Sequence, residues 1–335
     1  MRLISKAVCK AVGTVFDWIR PGFPETVRVE TTNACNARCV ICPHKSMERA
    51  VQRMDDRLYE RIVDECAEGG CREMHLHNFG EPLLDRHLED RIRHAKQRGV
   101  PRVKIFSNGS LLSEDRARGL IRAGLDEIKI SIDGASKEEF ERIRYPLKFD
   151  RVIENIRTLV AVRNAEQAKL SIQVACCSTS DKTATMATLE GIVDRFSFGK
   201  IHNWACGEDT VGAGGVRKPC SRLWRTFTVL ANGDVSLCCL DYDGRHVIGR
   251  LDEGVSIREI WNSSAYQRLR DLHSSASQTA IDLCASCTKS FLVRPATDES
   301  TERIPAEGLP VVVQIADRRS DRQVRPADDR RRRAA

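Results

Sequence analysis

The sequence predicts an α/β fold, a parallel sheet covered by helices and followed by a smaller cysteine-bearing unit, and three observations lead there. Six short β-rich runs alternate with helical stretches between Glu25 and Trp204, the pattern of strand-helix repeats. The chain has 335 residues, 41% hydrophobic and 30% charged, which suits a globular protein long enough for a sizeable core. Its fourteen cysteines include groups at short, regular spacing, which points to metal ligation in a reducing compartment.

Residues 1–24 hold an amphipathic candidate helix from Ile4 to Ile19, with Phe16 and Trp18 near its end and Pro21-Gly22 to stop it. It is expected to pack on the body rather than to contact a membrane. The core, 25–206, carries β-rich runs at Thr26 to Thr31, Glu73 to Asn78, Arg102 to Ser107, Glu127 to Ile132, Lys169 to Ala175 and Lys200 to Trp204. Helical patterns fall at Asp55 to Ala67, Asp85 to Arg98, Glu114 to Ala123, Phe149 to Arg163 and Thr183 to Phe198. Gly207 to Gly215 reads as a linker, and a second unit spans 207–290. That unit shows a hairpin from Thr226 to Leu230 and Val235 to Leu240 around Asn232-Gly233, then a helix near Ile257 to Leu272. From 291 to 335 the chain turns polar and basic and is expected to be a disordered tail.

The net charge of +7 sits at the two ends. Residues 1–24 carry four basic residues against Asp17, and residues 317–333 carry eight Arg against four Asp, so the body between is neutral. A nucleic-acid groove needs a local surplus along the fold, so nucleic acid is excluded as a partner. No apolar run reaches the roughly 20 residues of a membrane span. Lys10 and Asp17 break any signal-peptide core, so a cytoplasmic location is expected.

Directly after the first strand stand Cys35, Cys39 and Cys42. Tetrahedral zinc, with His44 as fourth ligand, and an iron-sulfur cluster both suit such a thiolate set. Three thiolates on a four-iron cluster leave one iron open to a chelating small molecule. The loop resembles the C-x3-C-x2-C motif of the radical S-adenosylmethionine (SAM) superfamily, and further motifs agree. Gly80-Glu81-Pro82 is similar to the family's GGEP motif, with Phe79 in place of the first glycine. Ser107-Asn108-Gly109 and Ser131-Ile132-Asp133-Gly134 resemble the ribose-side and carboxylate-side positions, and Ile41 would lie against adenine. The resemblance implies a partial (β/α)6 TIM barrel. It also implies a SAM-binding 4Fe-4S cluster, reductive cleavage of SAM to a 5′-deoxyadenosyl radical, hydrogen abstraction from substrate, and a flavodoxin or ferredoxin-type electron donor.

Downstream lie Cys220, Cys238, Cys239, and the pair Cys284 and Cys287. This set resembles the SPASM/twitch extension, a small C-terminal iron-sulfur domain. The resemblance implies Cys220, Cys238, Cys284 and Cys287 as ligands of one auxiliary 4Fe-4S cluster, with Cys239 competing with Cys238. A zinc ribbon is the alternative that spacing leaves open. Four protein ligands would leave no iron for substrate, which fits electron transfer during an oxidation. The layout is similar to single-auxiliary-cluster dehydrogenases such as 2-deoxy-scyllo-inosamine dehydrogenase. The expected function is oxidation of a sugar or aminocyclitol alcohol, the small-molecule substrate. Peptide maturation, epimerisation and a non-catalytic scaffold are the alternatives. Cys206, then Cys239, are the candidate catalytic thiols, while His75, His77, His202 and Asp241 are candidate bases or substrate contacts.

Overall fold

The computed structural model describes residues 2–199, 201, 202, 204, 215–252 and 254–293. Cys206, most of the expected linker and the tail beyond 293 lie outside the described residues. A helix, α1 (Arg2–Ile19), precedes six parallel strands that neighbour one another in sequence order. These are β1 (Thr26–Val29), β2 (Glu73–His75), β3 (Arg102–Ser107), β4 (Glu127–Ser131), β5 (Ser171–Cys176) and β6 (Arg195–Phe198). Between them run α2 (Asp56–Gly69), α3 (Leu88–Gln97), α4 (Glu114–Arg122), α5 (Lys137–Ile143), α6 (Phe149–Ala165) and α7 (Lys182–Ala187). The result is the expected partial (β/α)6 barrel.

Local chemistry fixes the helix starts. Asp55, Ser113, Ser136 and Asp181 each accept hydrogen bonds from the first-turn amides of α2, α4, α5 and α7. The outward strand faces build the core with the helices: Val27, Val29, Met74, Val103, Ile105, Ile128 and Ile130 are fully buried. Each such side chain contributes about 1.5–3 kcal/mol by leaving water. The inward face is different. Arg28, Glu73, His75, Lys104, Phe106, Lys129 and Ser131 alternate with those apolar residues and stay partly accessible, so the lumen is polar.

Two readings are corrected in the barrel. The sixth strand lies at Arg195–Phe198, not Lys200 to Trp204, and only Lys182–Ala187 of the long helix expected before it is helical. The physical reason is Asp194, whose carboxylate accepts from Ile172 N and pairs with Arg163, drawing the next residues onto the edge of β5. The helix α5 escaped sequence reading altogether.

The second unit continues the barrel sheet rather than standing apart. After β7 (Val216–Arg217) and α8 (Arg222–Arg225), strand β8 (Thr226–Val229) pairs in parallel with β1. Strands β9 (Asp234–Ser236) and β10 (Val247–Arg250) then add antiparallel, giving a nine-stranded sheet ordered β10-β9-β8-β1-β2-β3-β4-β5-β6. This pairing covers the backbone edge that β1 would otherwise leave open. The single helix expected over 257–272 is two, α9 (Ile257–Trp261) and α10 (Ser264–Ser274), because Ser263 caps a new start. A short α11 (Asp282–Ala285) and β11 (Phe291–Val293), paired with β7, close the described chain.

The helix α1 packs on this unit as expected. A Cβ on Gly13 would come within 2.2 Å of Ser274 Oγ, Phe16 lies 5.3 Å from the Trp224 ring, and Asp17 accepts from Trp224 Nε1 at 2.7 Å. Among the described residues no helix is long and apolar enough to cross a membrane.

Candidate active site and auxiliary metal centre

The loop after β1 brings Cys35, Cys39 and Cys42 to the carboxyl end of the barrel. Its position is set by backbone bonds to the end of α5 and the residues that follow, Val40 N to Ile143 O at 2.9 Å and Arg38 N to Tyr145 O at 2.6 Å. Beneath it, buried Glu30 accepts both nitrogens of Arg49 and the amides of Phe79 and Ala231. Burial, with the nearby Glu81 and fellow thiols, pushes Cys35 up to about 12, and burial also raises Cys39 and Cys42. Thiols so placed ionise only around a strongly positive centre, so the donor set fits a soft metal cluster. His44, the candidate fourth zinc ligand, instead has Nε2 2.7 Å from the Asn33 carbonyl. Among the described residues no three His, Cys, Asp or Glu side chains converge on one ion.

Gly80 sits at φ +113°, and a Cβ there would lie 2.6 Å from the Thr32 carbonyl oxygen, so glycine lets this turn touch the cysteine loop. Glu81 N donates to Ala34 O at 2.7 Å. Its carboxylate accepts from Leu83 N, Ser107 Oγ and Asn108 N at 3.1, 2.8 and 2.7 Å, and Pro82 opens the buried turn that follows. Asn108 in turn donates to Asn36 Oδ1 at 2.9 Å. Glu81, Ser107, Asn108 and the cysteine loop are therefore one hydrogen-bonded unit. Ile41 carbonyl accepts from Trp204 Nε1 at 2.8 Å, and Phe79, at the departed glycine position, packs against Trp204 and Tyr242.

Ser131 points inward at the top of β4. Asp133, by contrast, is fully buried and fully occupied. Its Oδ1 accepts from Cys177 N and Ser178 N, and its Oδ2 takes the guanidinium of Arg144. A carboxylate in this state positions Arg144. Arg144 reaches Cys39 Sγ at 3.8 Å. Sequence reading missed this arginine because it lies after α5, the helix that was also missed.

Below the loop, the lumen holds a charged and aromatic group. His75 Nε2 donates to Glu73 while its Nδ1 accepts from Arg28 at 3.2 Å. This donation holds Glu73 down to about 2, and burial keeps His75 below the ordinary histidine range. His77 stacks on Phe106 at 4.4 Å, and its buried Nδ1 has no hydrogen-bond partner. Lys104 and Lys129 lie 5.6 and 5.4 Å over the Phe106 ring, and Lys104 pairs with Glu127 at 2.9 Å. The period-two alternation of Lys104, Phe106 and Lys129 inside parallel strands was the available sequence signal, since strands buried on both faces read as continuous apolar runs. Asp241 is not part of this group; it accepts from Arg245 N, His246 N and Ser236 Oγ and so holds the turn between β9 and β10.

The second cysteine set gathers at one cleft. Cys220, Cys238, Cys284 and Cys287 all line one open cleft, with Arg222, His273 and Lys289 around it. Burial raises Cys284 to about 12 and also raises Cys220. Arg222 approaches Cys238 Sγ at 3.9 Å, Cys220 N donates to His273 Nδ1 at 3.2 Å, and Arg217 grips the carbonyls of Cys284 and Ala285. Four thiols that line one cleft form a soft donor set of the kind that holds a cluster. Cys239 does not line it; its thiol lies against Cys238 and beside Arg28, and both favour its thiolate. All cysteines among the described residues are free of disulfides.

Comparison with known proteins matches two separate stretches of the chain. Residues 29–165 match the radical SAM superfamily, and residues 220–288 match an iron-sulfur cluster-binding domain named SPASM. Domains of these kinds imply a SAM-binding 4Fe-4S cluster and an auxiliary cluster as cofactors. The chain is 30% identical over 165 residues to a protein named "Probable GTP 3′,8-cyclase" of Methanopyrus kandleri, covering 49% of this chain and 51% of that one. It is 32% identical over 136 residues to the GTP 3′,8-cyclase of Chlorobaculum tepidum, covering 40% and 41%. The chain thus spans about half the length of the curated relatives it matches, or less. Among solved structures, BtrN in complex with AdoMet and 2-DOIA aligns over 79% of this chain and 93% of its own, with 19% identity and a TM-score of 0.58. Streptococcus suis SuiB bound to precursor peptide SuiA aligns over 78% and 69%, with 13% identity and a TM-score of 0.59. At these identities the likeness is one of fold.

Proposed function

Because the chain belongs to the radical SAM superfamily and carries a SPASM domain, we propose that it is an oxidoreductase that acts on an alcohol of a small polar molecule such as a sugar or aminocyclitol. The observation that carries this reading is a charged barrel interior beneath a three-thiol loop, together with one four-thiol cleft in the second unit. In this reading Cys35, Cys39 and Cys42 hold one 4Fe-4S cluster, and Cys220, Cys238, Cys284 and Cys287 hold the other. When bound, these cofactors supply reductive cleavage of SAM to a hydrogen-abstracting radical and a place for the substrate's electron.

The chain's own residues bind and orient. Gly80, Glu81 and Pro82 shape the backbone beside the methionine end of SAM, while Ser107 and Asn108 face its ribose side. Ile41 covers adenine, and Ser131 with Arg144 meets the carboxylate. Arg28, His75, His77, Lys104 and Lys129 supply hydrogen bonds and charge to substrate hydroxyls. Cys206 and Cys239 remain candidate thiols of the reaction, and a flavodoxin or ferredoxin-type protein is the proposed donor in a cytoplasmic setting.

The test is anaerobic reconstitution followed by iron counting and a 5′-deoxyadenosine assay. About eight irons are expected, with cleavage abolished in Cys35→Ala, Cys39→Ala and Cys42→Ala. Retained cleavage in all three overturns the assignment. A second reading, ring closure on a nucleotide, is favoured by the curated relatives and by lumen cations suited to phosphates. Consumption of GTP with no oxidation of sugars or cyclitols would select it.

A further inference from the structure

Helix α1 has two apolar stripes, and the body covers one of them. Ser5, Cys9 and Gly13 are buried, and Phe16 packs on Trp224. The other stripe, Ile4, Ala7, Ala11, Val15 and Trp18, recurs at spacings of three and four, which places it on a single face roughly 20 Å long. It stands in the open: Trp18 is 85% exposed, Ile4 55% and Val15 53%, and Leu3 at 82% extends it. Isolated exposed apolar residues need no explanation, but a continuous helical stripe ending in a bare tryptophan marks a contact surface.

Charge identifies the occupant. Exposed Lys10 borders the stripe beside Leu3, exposed Lys6 stands one turn away on the same flank, and the helix's one acid, Asp17, accepts a hydrogen bond from Trp224 Nε1. The whole surplus of +7 lies in residues 1–24 and 317–333, so this helix is one of the two basic ends of a neutral body. A two-fold contact with a second copy would bring these lysines toward one another. An anionic lipid surface meets both features at once, taking apolar side chains below its headgroups and lysines at them. The helix is already held by Gly13 against Ser274 and by Trp224, so docking would order nothing new. We infer that α1 is an interfacial membrane-docking helix, which rests the enzyme on an anionic bilayer without crossing it.

The test is flotation of the full-length, reconstituted protein with phosphatidylcholine vesicles containing about 30% phosphatidylglycerol, and with phosphatidylcholine alone. Binding to the anionic vesicles, weak binding to neutral ones and release in about 0.5 M salt are expected. Trp18→Glu and Val15→Glu should each weaken binding roughly tenfold while uncoupled 5′-deoxyadenosine formation stays unchanged. No flotation with anionic vesicles overturns the inference. So does flotation that survives both substitutions, which would assign binding to the basic tail. A dimer in sedimentation equilibrium that Trp18→Glu dissociates would give the stripe to a second copy instead.

Discussion

Glu81 is buried and takes its hydrogen bonds from three donors on two elements, so one atom of its side chain matters. Glu81→Gln turns an acceptor into a donor facing another donor, a clash that costs about 1–3 kcal/mol. SAM binding by the reconstituted variant should weaken roughly tenfold or more in equilibrium dialysis, and an unchanged Kd would count against this role. His77 gives a second residue-scale expectation. Burial first, then His75, Arg28 and Lys104, keep it well below the usual histidine range, and burial does the same for His75. Unfolded histidines protonate near 6.5 while these stay neutral, so their stabilisation is complete above that pH and is lost as pH falls below it. The melting temperature should drop between about pH 7.5 and 5.5, and His77→Gln should shrink the drop.

At the scale of elements, the contact that matters most is the turn after β2 against the cysteine loop. Gly80→Ala would need both φ +113° and a Cβ 2.6 Å from a carbonyl oxygen, and neither neighbour is a flexible side-chain end. Iron at the first site should fall by about half of the total, while the second site fills normally. This turn was legible in the sequence because its chemistry is local: glycine, acid and proline stand together after a strand. The three-thiol loop and the Cys284 and Cys287 pair were legible for the same reason. Arg144 was not, because its partners Asp133 and Cys39 come from other elements and nothing near it in sequence announces them. Nor was the sixth strand, whose Arg195–Phe198 run is held by Asp194 contacts to α6 and β5 rather than by propensity.

Across the whole molecule, the three-thiol loop follows β1 of the nine-stranded sheet, whereas Cys220, Cys284 and Cys287 lie off that sheet, on the segments next to the β7–β11 pair. Cys220→Ala with Cys284→Ala and Cys287→Ala should therefore leave the barrel standing, with about half the iron and with uncoupled 5′-deoxyadenosine formation intact, while substrate oxidation is lost. Iron content equal to that of the unaltered protein would show that those thiols bind something else. The joining of the second unit to the barrel was not readable in the sequence, since the pairing of Thr26–Val29 with Thr226–Val229 links segments two hundred residues apart.

That pairing also governs how the molecule can be divided. A shortened chain lacking everything after residue 206 would keep all six parallel strands, yet β1 would present a bare row of amides and carbonyls, with Val27 and Val29 beneath it. Such an edge recruits other chains, so the isolated barrel should clump on expression where the intact protein does not. The hairpin that helps carry the second thiol set is, in that sense, the selvedge of the first.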